Sequence, residues 1–167
     1  PMIYYALTSL MLASIREILI ITTPESLEQY KNLLGSGKDF GIEINYAIQQ
    51  KPRGLADAFL IAEKFVANHH SALILGDNLF HVENFSKKID EVSNQKKGCN
   101  IFVYRVSDPY RYGIIELDIN KQIIDIVEKP LKPKNNMAVT GLYFYDDTVI
   151  DRVKKLSVSE RGELEIT

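Results

Sequence analysis

Ala72-Leu73-Ile74-Leu75-Gly76-Asp77-Asn78-Leu79-Phe80 is the stretch on which the reading of this chain turns. Four apolar residues with no polar interruption read as a buried strand, closed abruptly by glycine, aspartate and asparagine. The carboxylate of Asp77 then falls just past the carboxyl end of a strand, the edge at which open α/β sheets bind ligands. Glycine permits a tight turn there, and aspartate offers a hard oxygen suited to magnesium. Asp-Asn is also an ordinary way to end a strand. The stretch alone leaves both readings open.

Upstream, strands and helices alternate. Ile3, Leu7, Leu10 and Met11 have helical spacing within Met2 to Ser14, and Ile18 to Ile21 reads as a strand. Thr22 and Glu25 have capping-box spacing with Pro24 between them, which predicts a helix running to about Leu34. Gly35-Ser36-Gly37-Lys38-Asp39 is read as a helix-ending turn. A phosphate-binding loop would need glycine where Asn32 stands and serine or threonine where Asp39 stands. Ile42 to Ile48 alternates as a strand, Gln49 to Gly54 turns, and Leu55 to Val66 has helical spacing. Strand, glycine-containing turn and helix is an arrangement in which backbone amides can face an anion or a nucleotide.

Downstream, Asn84 is a candidate cap for a helix through Asn94, and Cys99 to Val106 is a strand. Then the rhythm changes. Gly113 to Leu117, Gln122 to Glu128 and Ala138 to Tyr145 read as strands with no helix between them, and Asp118 to Lys121 as a hairpin turn. Asp147 to Leu156 reads as a last helix. The pattern predicts an α/β fold with a mainly parallel central sheet and a β-rich insertion or edge.

At 167 residues and 46% hydrophobic, the chain can bury a core and fits one domain, 1–167. A net charge of −2 leaves no electrostatic footprint for nucleic acid or an anionic membrane. Lys87-Lys88 and Lys96-Lys97 read as solvated helix positions. The apolar run from Met2 to Ala13 is too short to span a bilayer and lacks a preceding basic region. A single cysteine, Cys99, excludes an internal disulfide framework and fits a reducing cytosol; it is read as a small buried hydrophobe. His69, His70 and His81 lack the clustering of metal ligands and read as surface residues. No G-x-G-x-x-G follows a strand, which disfavours a dinucleotide-binding oxidoreductase.

Four polar groups follow strands or open turns: Gln49, Asp77, Glu128-Lys129-Pro130 and Arg161-Gly162-Glu163. An acidic metal ligand, a lysine and an arginine together are what phosphate chemistry needs, because metal and cations neutralise and hold charged oxygens. Lysine acts as a point charge and arginine as a bidentate fork. Each group also has a bland reading as an exposed strand end or loop residue, and spacing does not show that they converge.

Pro1-Met2-Ile3-Tyr4-Tyr5, Gln49 with Pro52-Arg53-Gly54-Leu55-Ala56, Leu75-Gly76-Asp77-Asn78, Arg111-Tyr112-Gly113, Val127-Glu128-Lys129-Pro130, Val139 to Tyr145 and Arg161 to Thr167 resemble the sugar nucleotidyltransferases, in particular the glucose-1-phosphate thymidylyltransferases. The resemblance runs from first residue to last, in order and at matching spacings. It implies a three-layer Rossmann-like nucleotidyltransferase fold and a Mg²⁺-dependent reaction. A sugar-1-phosphate oxygen attacks the α-phosphorus of dTTP in line, giving dTDP-glucose and pyrophosphate. It also implies Gln49 and Gly54 at the thymine base and Asp77 at magnesium. Gly113, Glu128, Val139 and Tyr143 would line the glucose site, and Lys129 and Arg161 would hold the sugar phosphate. A cytoplasmic homo-oligomer, a tetramer, with no nucleic-acid or membrane partner, is implied as well.

Several departures qualify this. The family's opening Gly-Thr-Arg loop, its following lysine and a second magnesium-binding aspartate are not among these residues. Ala6 and Ser14 replace a usual proline and glycine, Asp57 stands where glutamine is frequent, and His81-Val82 follows Phe80 where an aromatic and glycine are common. The resemblance therefore implies an incomplete domain, truncated at both ends, with an open sheet edge or gap where a first strand belongs and little activity alone. Two rivals stay open: a non-catalytic sugar-phosphate or nucleotide-binding module, and a uridylyl- or cytidylyltransferase of the same fold.

Overall fold

The computed structural model describes residues 1–94, 97–159 and 162–165. Strands β1 (Glu17–Thr22) and β2 (Glu43–Ile48) pair in parallel from Glu17↔Glu43 to Thr22↔Ile48. Parallel neighbours need a crossover, and α2 (Leu27–Leu34) supplies it. Ile18, Ile20, Ile42 and Ile44 bury one face of this pair against Leu7 and Leu10 of α1 (Ile3–Leu12). Fully burying such a side chain contributes about 1.5–3 kcal/mol, so this cluster is what holds α1 to the strands.

Helix α3 (Leu55–Ile61) continues as α4 (Glu63–Val66). The helix expected over 55–66 bends at Ala62, whose ψ is 2°, while the Ala62 N–H still bonds the Ala58 carbonyl and the Val66 N–H the Ala62 carbonyl. Strand β3 (Ser71–Ile74) follows, then α5 (Phe85–Ser93), β4 (Cys99–Arg105), β5 (Gly113–Leu117), β6 (Ile123–Glu128), β7 (Met137–Tyr145) and α6 (Val149–Val153). Asp118 builds the β5–β6 hairpin turn by accepting the N–H groups of Asn120 and Gln122 through one carboxylate oxygen.

The second sheet is organised on β7. Residues 142–145 pair with β3 on one edge, and β4 runs along the other edge from Cys99↔Tyr145 to Arg105↔Met137. β5 continues the β3 edge at Ile114↔Ala138 and carries β6 outside it. All these pairs are antiparallel. Among the described residues only β1–β2 is a parallel hydrogen-bonded pair, so pairing is less parallel than the strand–helix rhythm predicts. The reason lies late in the chain: β7 arrives after the β5–β6 hairpin and runs against both β3 and β4.

Among the described residues β1 pairs only with β2, and β3 only with β7. Both strands line a groove of about 740 Å³ that also involves Leu7 and Leu10 of α1 and Phe59 and Val66.

Two caps and one cysteine differ from expectation. Thr22 is taken up by β1, opposite Ile48, so the helix starts later, at Leu27, after a turn in which Thr23 Oγ1 meets Ser26 Oγ at 3.4 Å. Asn84 has a left-handed φ of 56° and makes no side-chain cap bond. Cys99 is exposed rather than a buried hydrophobe. Its thiol still leans into the fold, where desolvation pushes it up to about 11.

Candidate functional site

The first corner forms where β2 ends and α3 begins. The Gln49 N–H donates to the Thr22 carbonyl at 2.9 Å, which carries the β1–β2 ladder one residue further and fixes the backbone from which the side chain springs. The Gln49 Nε2 donates to Asp57 Oδ2 at 2.8 Å, and Arg53 lies 3.4 Å from the other carboxylate oxygen. Asp57 is only 2% exposed. A buried charge is tolerable when paired and hydrogen-bonded, and here both oxygens are engaged.

Gly54 opens α3 with φ 97°. A Cβ there would lie 2.7 Å from the Leu164 backbone nitrogen and closer still to its carbonyl oxygen. The close approach has a purpose. The Leu164 N–H donates to the Arg53 carbonyl at 2.7 Å, and the Ala56 N–H donates to the Leu164 carbonyl at 3.1 Å. Glycine is thus required twice, by the left-handed φ and by the neighbouring backbone.

The second corner is the turn after β3. The Leu75 N–H donates to the Gly141 carbonyl at 2.9 Å, and Asn78 Oδ1 accepts the Gly141 N–H at 3.0 Å. Asn78 Nδ2 in turn donates to Asp77 Oδ1 at 2.9 Å. Asp77 itself is exposed. The strand-end carboxylate is therefore tied to β7 through one half-buried asparagine, with its second oxygen directed outside that tie.

The third corner lies on the antiparallel sheet. Gly113 pairs with Glu128, and Ile114 with Ala138. Because side chains alternate along a strand, Gly113, Glu128, Val139, Gly141 and Tyr143 share one face. Ile115, Ile126, Val139 and Tyr143 pack together on that face. Burial pushes the Tyr143 phenol up to about 12, with the Glu128 carboxylate and the Cys99 thiol adding to the rise. Lys129 adopts φ 44°, gives its N–H to the Tyr112 carbonyl at 3.0 Å, and holds Nζ 3.7 Å from Glu128 Oε1. A left-handed lysine is uncommon away from a turn; here it closes the end of β6.

Strand β7 joins the corners. Gly141, which anchors Asp77 through Asn78, and Tyr143, which faces Glu128, are two residues apart on one face, about 6.8 Å along the strand. Tyr143 stacks on Tyr145 with ring centroids 6.0 Å apart, and Tyr145 meets Phe59 of α3 edge-on at 5.2 Å. Gly113, Glu128, Val139 and Tyr143 are thus brought together, and Gln49 and Asp77 are each attached to the same scaffold. Arg161 lies outside the described residues. Asp57, Asn78 and Gly141 are the contributors that reasoning on motifs missed. Asp57 stood out only as a departure, an acid where glutamine is frequent near the base, and nothing in spacing announced its bond to a residue eight positions earlier.

Among the described residues no group of three or more His, Cys, Asp or Glu side chains is placed to hold a metal. His69, His70 and His81 are exposed, as expected. No helix among the described residues is long and apolar enough to cross a membrane.

Polar turns past strand ends are where α/β scaffolds bind ligands. The chain belongs to the nucleotidyl transferase family, whose model matches residues 1–167. It is 49% identical over all 167 residues to a glucose-1-phosphate thymidylyltransferase of Neisseria meningitidis and 50% identical to one of Xanthomonas campestris. The chain spans 58% and 57% of the length of those relatives. A solved structure from Bacillus anthracis, assigned provisionally to the same enzymes and crystallised with sucrose, superposes with a TM-score of 0.89 at 42% identity. That match covers all of this chain and 67% of the other.

Proposed function

We propose that this chain carries the base- and sugar-recognising part of a nucleotidyltransferase that joins glucose-1-phosphate and dTTP to give dTDP-glucose and pyrophosphate. The observation that carries the reading is the shared face of Gly113, Glu128, Val139 and Tyr143, two residues along β7 from the anchor of Asp77. A carboxylate that shares a face with a buried phenol suits a hydroxyl-rich ring, because Glu128 accepts from sugar hydroxyls, and Gly113 lies opposite it on β5. Lys129, next in sequence, supplies a point charge for the sugar phosphate, and Arg161 a bidentate one. Gln49 and Gly54 take the thymine base.

The donor set at Asp77 suits magnesium, an ion commonly held by one or two carboxylates together with substrate phosphates. Bound there, Mg²⁺ would neutralise charge on the phosphates. The residues of this chain do the rest of the work. Gln49 and Glu128 fix the two ends of the reacting pair, and Lys129 and Arg161 hold the attacking phosphate oxygen in line with the α-phosphorus while pyrophosphate departs. Positioning and charge neutralisation are the main protein contributions to phosphoryl transfer. A cytoplasmic, homo-oligomeric protein, tetrameric by family resemblance, is the setting we propose.

Calorimetry of the 167-residue chain with dTDP-glucose and glucose-1-phosphate tests the reading, paired with pyrophosphate release from glucose-1-phosphate, dTTP and Mg²⁺. Binding that is weakened by Glu128→Gln is expected. Failure to bind either sugar ligand sinks the proposal, and an absence of any pyrophosphate release despite binding would remove the catalytic positioning from it.

A further inference from the structure

We infer that Asp57 determines which way round the Gln49 amide is presented, and thereby selects the imide edge of thymine and uracil over the edge of cytosine. The inference rests on the base-facing role proposed above for Gln49. It starts from the 2.8 Å contact between Gln49 Nε2 and Asp57 Oδ2. An ionised carboxylate only accepts hydrogen bonds, whereas the carboxamide has a donating and an accepting end. Turned the other way, Gln49 would set Oε1 against Oδ2, acceptor against acceptor. Asp57 is 2% exposed, so water cannot relieve that clash.

Arg53, 3.4 Å from Oδ1, holds the carboxylate from its other side. The orientation of the amide thus follows from chemistry and not from a choice between similar atoms. One Nε2–H is committed to Asp57. Oε1 and the second Nε2–H remain, side by side, for a ligand.

Thymine and uracil offer an N3–H donor beside the O4 acceptor. The donor meets Oε1 and the acceptor meets the free N–H, so both contacts are satisfied. Cytosine offers an N3 acceptor beside the N4 amino donor. Against the same amide both pairs are opposed, and only a reversed Gln49 could accommodate them. A locked carboxamide therefore discriminates between pyrimidines by hydrogen-bond polarity, without any change in pocket size. It does not by itself separate thymine from uracil, which present the same edge. Asp57 is a positioning residue in this scheme: it acts through Gln49 and touches no substrate.

The test is calorimetric titration of the 167-residue chain with dTTP and dCTP, for the wild type, Asp57→Asn and Gln49→Ala. Asparagine is nearly isosteric with aspartate and can turn its own amide to meet either end of Gln49. The wild type should prefer dTTP, Asp57→Asn should narrow that preference about tenfold, and Gln49→Ala should abolish it. The ratio of two affinities within one variant does not depend on the fraction of protein folded, so a purely structural role would leave it unmoved. A preference unchanged in Asp57→Asn but lost in Gln49→Ala overturns the role of Asp57 and leaves Gln49 at the base. A preference unchanged in both, or a wild type that binds neither nucleotide, overturns the base site itself.

Discussion

The corner at Gln49 and the corner at Lys129 are built in opposite ways. At the first, Asp57 is buried with both oxygens engaged, Gly54 abuts the Leu164 backbone, and two backbone hydrogen bonds tie α3 to residue 164. At the second, the Lys129 side chain is 44% exposed and lies 3.7 Å from the carboxylate of its neighbour Glu128. The difference follows from the tasks proposed for them. Reading a base edge needs a donor and an acceptor held to within a fraction of an ångström. Delivering a positive charge to a phosphate needs only proximity, since Coulomb attraction varies slowly with distance. Rigidity is found where direction matters, and exposure where charge suffices.

The largest effect that could break this contrast is at Gly54. Gly54→Ala combines a left-handed φ with overlap against backbone that cannot step aside, and should cost about 3 kcal/mol or more in urea unfolding. A cost below about 1 kcal/mol would mean that the first corner is not rigid. Gly141 comes next. A Cβ there would lie 2.7 Å from the Leu75 side chain and 2.8 Å from Asn78 Oδ1. Those atoms belong to side chains that can move, so Gly141→Ala should cost about 1–3 kcal/mol. It should also displace the Asp77–Asn78 turn, which the chemical shifts of Asn78 would report.

A third test uses pH. Asp146 accepts from the Thr148 hydroxyl, the Gly98 N–H and the Thr148 N–H, which hold its carboxyl down at about 2. A lowered folded-state value means stability that is fully present above the unfolded value near 4 and is lost as pH falls toward 2. Asp146→Asn should therefore flatten the acid limb of the unfolding curve between about pH 4 and pH 2, with a smaller gap from wild type at the acid end than at neutrality. An unaltered acid limb would remove Asp146 from that account.

The smallest stability change is expected at Lys129. Asparagine tolerates φ 44°, so Lys129→Asn should shift unfolding by no more than about 0.5 kcal/mol while lowering glucose-1-phosphate affinity by roughly tenfold. A large loss of stability there would erase the contrast between the two corners. Unchanged affinity would remove Lys129 from the phosphate.

Much of the local structure was legible in residue patterns. The hydrophobic runs at Ile18 and Ala72, the alternation at Ile42 and the hairpin at Asp118 all predicted their elements to within a residue or two, because burial periodicity is a local property. Caps were less legible. Thr22 looks like a helix cap from its spacing to Glu25, yet the β1–β2 ladder claims it first, and Asn84 adopts a left-handed backbone that spends no side-chain bond on α5. Strand direction was legible only in part, since Ala138 to Tyr145 reads equally well parallel or antiparallel.

What the sequence by itself determined is the family, together with the residue types available to the proposed chemistry. Gly76-Asp77 at a strand end, Gln49 before a glycine turn and helix, and the Glu128-Lys129 pair carry the donor types that nucleotidyl transfer needs, and the match to the family extends over all 167 residues. What only the tertiary structure decided is which of these groups is held and which is merely present. Asp57 meets Gln49 across eight residues, Gly54 meets Leu164 across 110, and Asn78 meets Gly141 across 63. Contacts over such separations arise from how β7 and α3 pack, and no local pattern encodes them. Asp77 remains the strand-end carboxylate from which the reading began, and the asparagine beside it, through β7, is what gives that carboxylate its place.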